Sequence, residues 1–330
     1  MIRSFPRLAL TALAAAALAA PAFAEVNANI EFDNTLQNNS RGLSQGGRVE
    51  LNAIGKGVGT GNAYVAGKAS FLALRNGNTA VDDLWVQLGN DAGDLKLGRF
   101  EAADVYRRGR DTIVDVAGSG YTYRANILRG RTGSSGNSPF QAAANVVLGG
   151  GLGAELGVIE GKSGASGAFD ASTDGASPYI GKGVRPALYY KGDNGFSAIA
   201  SIESGKVLTP TATDASATSK LSGFGASVGI PVAGATLTLN GATGKIEGKA
   251  SRSHTAGLTA AVGPIEAAFE SGKSFNAEKI NTVYASYQTG LFDIKGATIT
   301  PALSYSKVKD AAAGTPDKNT SLRVRFNYAF

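Results

Sequence analysis

The chain has no cysteine, a single histidine and, beyond its first residues, no apolar run long enough to cross a bilayer as a helix. Each absence excludes something. Without cysteine there is no disulfide framework, no thiolate metal site and no thiol nucleophile. His254 has no second histidine beside which to build a metal site, and a catalytic triad needs partners as well. By alternation with Ala256, Leu258, Ala260 and Val262 it stands at the outer end of an apolar row, as a rim residue does. A helical span needs roughly 18 or more consecutive apolar residues, which excludes transmembrane helices. The sequence pI of 9.4 invites a nucleic-acid reading, but no long run of Lys and Arg supports one. The glycines from Gly149 to Gly153 lead into no helix and no Gly-Lys-Ser/Thr, so they form a turn and not a nucleotide loop. No catalytic set, metal or cofactor is expected.

What is present begins with an export signal. Arg3 and Arg7 precede an apolar stretch from Leu8 to Ala20, followed by Pro21-Ala22-Phe23-Ala24. A basic segment, an apolar segment and a small-residue cleavage site make a signal peptide over residues 1–24. The mature chain then starts at Glu25 and runs to Phe330. The leader carries two of the 32 basic residues and none of the 26 acidic ones. The mature balance is therefore mildly positive, and its charges are scattered as on a wetted wall.

From Glu25 onward the hydrophobic period is two. Leu322, Val324, Phe326, Tyr328 and Phe330 alternate with Arg323, Arg325 and Asn327. Val26, Ala28, Ile30 and Phe32 alternate with Asn27, Asn29, Glu31 and Asp33, and Val49 and Leu51 with Arg48, Glu50 and Asn52. Val184, Pro186, Leu188 and Tyr190 oppose Arg185, Ala187, Tyr189 and Lys191. Ile265, Ala267 and Phe269 oppose Glu266 and Glu270. Successive side chains of a strand point to opposite faces, so one face is apolar and the other polar and often charged. A soluble sandwich also alternates. Charges on the second face of strands along the whole chain favour a closed barrel, with lipid outside and water within. Pro186 and Pro301 fall within strands and are read as bulges or strand ends.

The connections differ in length. Short glycine-rich links (Asn90 to Gly93, Gly149 to Gly151, Lys191 to Gly195) stand against longer loops at Thr35 to Gln45, Lys162 to Lys182, Lys206 to Ser219 and Val308 to Asn319. The count of strands is about sixteen, even as bacterial barrels require. Between Tyr121 and Leu148 the better strand is Phe140 to Leu148, because the adjacent Ile127 and Leu128 would face opposite ways. Residues 101–139 then form one connection far above the usual length, which marks it as functional.

Leu84-Trp85-Val86-Gln87-Leu88-Gly89, followed by Gly93-Asp94-Leu95-Lys96-Leu97-Gly98-Arg99-Phe100, resembles the fourth and fifth strands of the Gram-negative general porins. The resemblance spans the whole chain, from the export signal to the terminal Phe330. It implies an all-β transmembrane antiparallel barrel of sixteen strands, a homotrimer with one water-filled pore per subunit, in which the third extracellular loop folds inward. The pore constriction would then hold Glu101, Asp104, Arg107, Arg108, Arg110, Asp111 and Asp115. The lumen wall would hold Arg48, Lys68, Arg99, Arg185, Arg323 and Arg325. The family sets loop carboxylates against wall arginines, which here would be Glu101, Asp104, Asp111 and Asp115 against Arg48 and Arg99. Arg99 shares parity with outward Leu95 and Leu97, so only a bulge at Gly98 would turn it inward. Phe330 resembles the signal read by the barrel-assembly machinery.

The expected function is passive diffusion of small hydrophilic solutes and ions across the outer membrane, with outer-membrane lipid as surroundings and no nucleic-acid partner. A weak anion preference is expected from Arg107, Arg108 and Arg110, opposed by lumen-facing Glu31, Asp33, Glu266 and Glu270. A solute-specific channel for anions or sugars would call for a lumen ladder of aromatics or arginines, and inward aromatics (Tyr64, Trp85, Tyr189) are few. A structural or adhesive barrel would call for long apolar or repetitive loops, and these are neither.

Overall fold

Alternating strands with unpaired edges have one way to satisfy every backbone N–H and C=O in lipid, which is to close on themselves. The computed structural model shows that closure. It describes residues 23–38, 42–110, 117, 122–129, 140–161, 179–208 and 217–330. The strands are β1 Phe23–Gln37, β2 Leu43–Val58, β3 Tyr64–Leu74, β4 Thr79–Asn90, β5 Gly93–Arg99, β6 Phe140–Gly149, β7 Leu152–Glu160 and β8 Tyr179–Lys191. There follow β9 Ser197–Leu208, β10 Thr218–Val232, β11 Ala235–Ile246, β12 Ser253–Val262, β13 Ile265–Lys273, β14 Lys279–Tyr287, β15 Ala297–Lys309 and β16 Lys318–Ala329. Each pairs antiparallel with its sequence neighbours, and β1 also pairs with β16, from Asn29 opposite Ala329 to Gln37 opposite Ser321. Phe330 and Ala28 extend that seam by exchanging backbone hydrogen bonds of 2.8 and 3.0 Å.

Two prolines interrupt ladders without ending strands. Thr289–Gly290 pairs with β15 in the register that Lys279–Tyr287 already keeps, so it continues β14 and the barrel has sixteen strands. The gap lies where Pro301 of β15, having no N–H, faces β14. Pro186 leaves a similar gap between β8 and β9, and the register is unchanged across it: Val184 faces Ser204 and Ala187 faces Ser201. Both were expected at bulges or strand ends, yet both sit inside regular strands with unaltered register.

Residues 91–92, 150–151, 233–234 and 263–264 make tight turns at one end of the barrel. Gly149, Gly150 and Gly151 all have positive φ (90°, 59° and 82°), which residues with a Cβ adopt only under strain. At the other end lie longer connections, and we call the two the short-turn end and the long-loop end. The loop expected over 35–45 is shorter than that, because β1 and β2 continue to Gln37 and from Leu43. The strand expected at Phe140 to Leu148 is β6, and the connection from β5 to β6 spans residues 100–139.

The outer face carries the apolar rows. Leu84, Leu156, Leu188, Ile202, Phe224, Leu239, Leu258, Phe269, Val283 and Leu322 are all exposed on it. Near the short-turn end stand Tyr190 with Phe196 and Tyr328 with Phe330, the last pair stacked at 5.1 Å. Tyr287 and Phe292 are exposed at the same level. A belt of aromatics edging an apolar band fits the boundary between lipid tails and headgroups. His254 is exposed at the long-loop end of β12, in the outward row with Leu258. The inner face carries Glu31, Arg48, Glu155, Arg185, Glu203, Glu266, Glu270 and Arg325. Residues 1–22, and with them most of the expected leader, lie outside the described residues; Phe23 and Ala24 open β1.

Candidate functional site: the lumen and its infolded connection

The 100–139 connection lies against the inner wall. A segment buried without a sheet partner needs other partners for its backbone, and the wall side chains supply them. Gln141 and Phe100 exchange hydrogen bonds at the start. The Ala103 N–H donates to Glu155 at 3.0 Å, and Arg185 donates to the Ala103 carbonyl at 2.7 Å. Asn240 both accepts from the Arg107 N–H and donates to its carbonyl. Tyr284 donates its hydroxyl proton to the Arg108 carbonyl. The Arg110 N–H reaches Glu266 at 2.6 Å. On the return path Ser253 and Thr255 bracket the backbone of Tyr123. Arg129 and Ala102 exchange hydrogen bonds and close the neck.

The anchor of the return path is Glu203, fully buried on β9. It accepts from the Tyr123 hydroxyl at 2.7 Å and from the Leu128 and Ile127 N–H groups at 2.8 and 3.3 Å. Arg185 lies 3.5 Å from Glu203 and 3.4 Å from Glu155. A second buried group joins Arg108 to Glu270 through two hydrogen bonds of 3.0 Å, with Arg124 at 3.3 Å from the same carboxylate. Such groups stay charged in an interior only when paired and hydrogen-bonded in this way. Burial, then the Glu270 charge, pushes the Tyr106 phenol above its ordinary pKa, so Tyr106 stays neutral inside the connection.

Apolar packing seats the same segment. Val105, Tyr106, Tyr123, Ala125, Ile127 and Leu128 form one buried cluster with inner-wall Ile159, Ile199, Val207, Leu221, Ala242 and Ile246. The wall makes room by being small. A Cβ on Gly223 would meet the Tyr123 hydroxyl oxygen within bonding range, and one on Gly244 would press into that ring at 2.7 Å. Ala117 packs on Ile280 and Val308, which extends the covered wall to β14 and β15.

The expected site residues divide accordingly. Glu101 and Asp104 pair with Arg129 of the same connection, at 3.1 and 3.9 Å. Arg107 and Arg110 donate to neutral oxygens near the short-turn end: Ser197 in one case, Pro264 and Ser286 in the other. Asp111 and Asp115 lie outside the described residues. Arg108 was expected to line the constriction and Arg185 the lumen wall; both are instead buried between connection and wall, 5% and 0% exposed. Loop Arg108 and Arg124 meet wall Glu270, so one pairing across the connection runs from loop arginine to wall carboxylate. Arg99 follows Gly98, whose φ is 121°, and donates Nε to the carbonyls of Val81 and Asp82.

Among the described residues, the connection touches the inner faces of β16 and β1 to β4 at Trp85, and these faces carry a chain of ion pairs. Arg325 makes a bidentate contact with Asp33 at 2.7 and 2.6 Å and lies 3.1 Å from Glu31. Arg323 lies 3.9 Å from Asp33 and donates to Thr35. Arg48 lies 4.0 Å from Glu31. Lys68 bridges Asp83 at 2.9 Å and Glu50 at 3.9 Å. Four cations and four carboxylates thus face one another. Glu50, Asp83, Glu155 and Glu203 were absent from the expected set, although their parity opposite Leu51, Leu84, Leu156 and Ile202 marks them as inward. Among the described residues no three His, Asp or Glu side chains converge on a metal-sized site.

No protein-family model matches the chain, and no curated protein matches its sequence. Solved structures do match its shape. The anion-selective porin from Comamonas acidovorans superimposes with a TM-score of 0.65 at 14% identity, covering 94% of this chain and 100% of that one. Salmonella typhi OmpF, in a complex with daunomycin, gives 0.66 at 12% identity, covering 93% and 97%. In-vitro folded OmpT, an outer membrane protein of Vibrio cholerae in a trimer form, gives 0.62 at 11%, covering 94% and 99%. The chain has the sixteen-stranded barrel fold of the Gram-negative general porins.

Proposed function

We propose that the chain is an outer-membrane diffusion porin, a water-filled channel through which small hydrophilic solutes and ions pass passively. The carrying observation is the arrangement of the wall: apolar rows outside, charged rows inside, and a connection folded onto one part of the interior. Ion pairs on the open wall keep the path hydrated and polar, so solutes need not shed their water, while apolar solutes are disfavoured. Glu101, Asp104, Arg107, Arg110 and Arg129 stand on the connection and set the narrowest passage. The nearly balanced open wall, together with arginines on the connection, gives a weak anion preference. Export follows cleavage after Ala24, Phe330 serves barrel assembly, and the protein works as a homotrimer, as does the trimer form of Vibrio cholerae OmpT that shares its fold.

Purified protein reconstituted in a planar bilayer tests this. Stepwise ohmic conductance is expected, with a reversal potential in a KCl gradient that favours chloride mildly. Deleting residues 104–115 removes Val105, Tyr106 and Arg108 from their seats, so conductance rises and larger sugars enter in liposome swelling. A deletion variant that folds yet keeps the parent conductance and size limit would show that the connection is not the constriction.

A further inference from the structure

The lumen cations differ between the two ends. Toward the long-loop end Arg48, Arg323 and Arg325 each lie within 4.0 Å of a carboxylate. Toward the short-turn end two lysines are held in another way. Lys56 lies 4.3 Å from the centre of the Tyr64 ring. Lys96 lies 4.7 Å from the centre of the Trp85 ring and 5.5 Å from that of Phe100. Lys56 stands near the short-turn end of β2 and Lys96 at the middle of β5, in one cross-strand row with Ala66 and Gln87, and Gln87 donates to the Tyr64 hydroxyl at 3.2 Å. Among the described residues, no ion pair joins either lysine to an acid. Asp94, two residues from Lys96 on the same inward face, accepts from Asn145 at 2.8 Å.

An aromatic face attracts an ammonium without cancelling its charge. A lysine so held is positioned, yet its remaining N–H donors point into water and stay available to an anion. The ring edges beside it offer apolar surface, which chloride cannot use and a carboxylate with a flat apolar body can.

We propose that Lys56 and Lys96, on the Tyr64–Trp85–Phe100 surface, form a binding site for small organic carboxylates. The site deepens the channel reading and gives the solute class that such a pore would concentrate at its exit. It is a weak site, as a solute in transit requires: binding must favour entry without preventing departure.

Trp85 is the one tryptophan of the chain, so its fluorescence reports the site directly. The folded, detergent-solubilised protein is titrated with iodide, caesium and acrylamide as anionic, cationic and neutral quenchers. Relative to their quenching of free N-acetyltryptophanamide, iodide should gain over caesium by roughly twofold at low salt, because fixed positive charge concentrates anions locally. Benzoate should protect Trp85 from iodide in a saturable way, whereas equal chloride should not. Lys96→Gln should remove both the iodide excess and the benzoate protection, and Lys56→Gln should weaken the protection, with acrylamide quenching unchanged in both as evidence of an intact fold. An iodide-to-caesium ratio equal to that of free N-acetyltryptophanamide, or benzoate protection unaffected by Lys96→Gln, would overturn the site. Because this readout needs no conductance, a protein that binds benzoate but fails to conduct refutes the channel alone. One that conducts without protecting Trp85 refutes the site alone.

Discussion

The two parts of the inner wall are built from the same alternating strands and serve opposite purposes. On β7 to β14 the inward rows mix small residues (Gly223, Gly225, Ser227, Ala242, Gly244, Thr255) with a few carboxylates, and a connection is packed onto them. On β16 and β1 to β4 the inward rows carry Arg323, Arg325, Glu31, Asp33, Arg48, Glu50, Lys68 and Asp83, and of the connection's described residues Phe100 and Ala102 meet them, at Trp85. The covered part behaves like a protein core, with Glu203 and Glu270 as buried anchors. The open part behaves like a surface turned inside out. Inward parity in a barrel therefore does not by itself mean contact with water; the size of the side chains separates seat from wall.

Breaking the covered part should cost most. Glu203→Ala leaves Arg185 with one acid fewer and strands the Tyr123 hydroxyl and two loop N–H groups, at about 3–5 kcal/mol for a broken buried pair. The variant should lose its folded form at lower denaturant or temperature, as gel heat-modifiability reads, and its channels should flicker as the connection loosens. Unchanged melting and quiet channels would show that Glu203 does not hold the connection.

A steric insult to the same part comes next. Gly223→Leu places a side chain where the Tyr123 hydroxyl sits, and overpacking of this kind costs about 1–3 kcal/mol. The barrel should still close, since lipid-facing rows are untouched, but conductance should rise or fluctuate as Tyr123 is displaced. The same substitution at Gly241, where a Cβ would meet nothing within 4 Å, should do neither.

The smallest effect on stability belongs to the open part. Asp33→Asn leaves Arg325 its contact with Glu31 at 3.1 Å, and partly wetted pairs are worth about 0–1 kcal/mol. Melting should barely move. The reversal potential should nevertheless shift toward anions, because a fixed charge beside the path acts on ions within a Debye length, about 8 Å at physiological salt. A large melting shift with no change in selectivity would reverse the assignment of the two parts.

Much of this was legible in the residues. Alternation located the strands and their lipid-facing rows, from Val26 to Phe330, and the poor alternation around Ile127 and Leu128 pointed to one long connection. That adjacent pair is buried with the connection against inner-wall Ile159, Ile199 and Val207, which explains why it suits no strand. Less legible was which inward charges meet water. Arg185 and Arg325 share parity and residue type, yet only Arg325 is on the open wall, because the chain 80 residues before Arg185 comes back to cover it. The glycines at 223, 225, 244 and 257 carried the missing signal: spaced at inward positions of three adjacent strands, they announce a guest. The prolines misled for a different reason. A missing N–H breaks one ladder bond, but neighbouring bonds on both sides of Pro186 and Pro301 keep the register.

The division of the wall can be read chemically, since the chain has no native cysteine to confuse the measurement. Single substitutions Asn29→Cys and Gln87→Cys lie on the open part, and Ser227→Cys and Thr255→Cys on the covered part, where the native side chains are 1% and 3% exposed. A small charged thiol reagent added to the folded, reconstituted channel should modify the first two rapidly and change their conductance. The second two should stay protected until the protein is unfolded. Equal modification of all four would contradict the account, because it would mean that the connection does not lie on the wall where the structure places it.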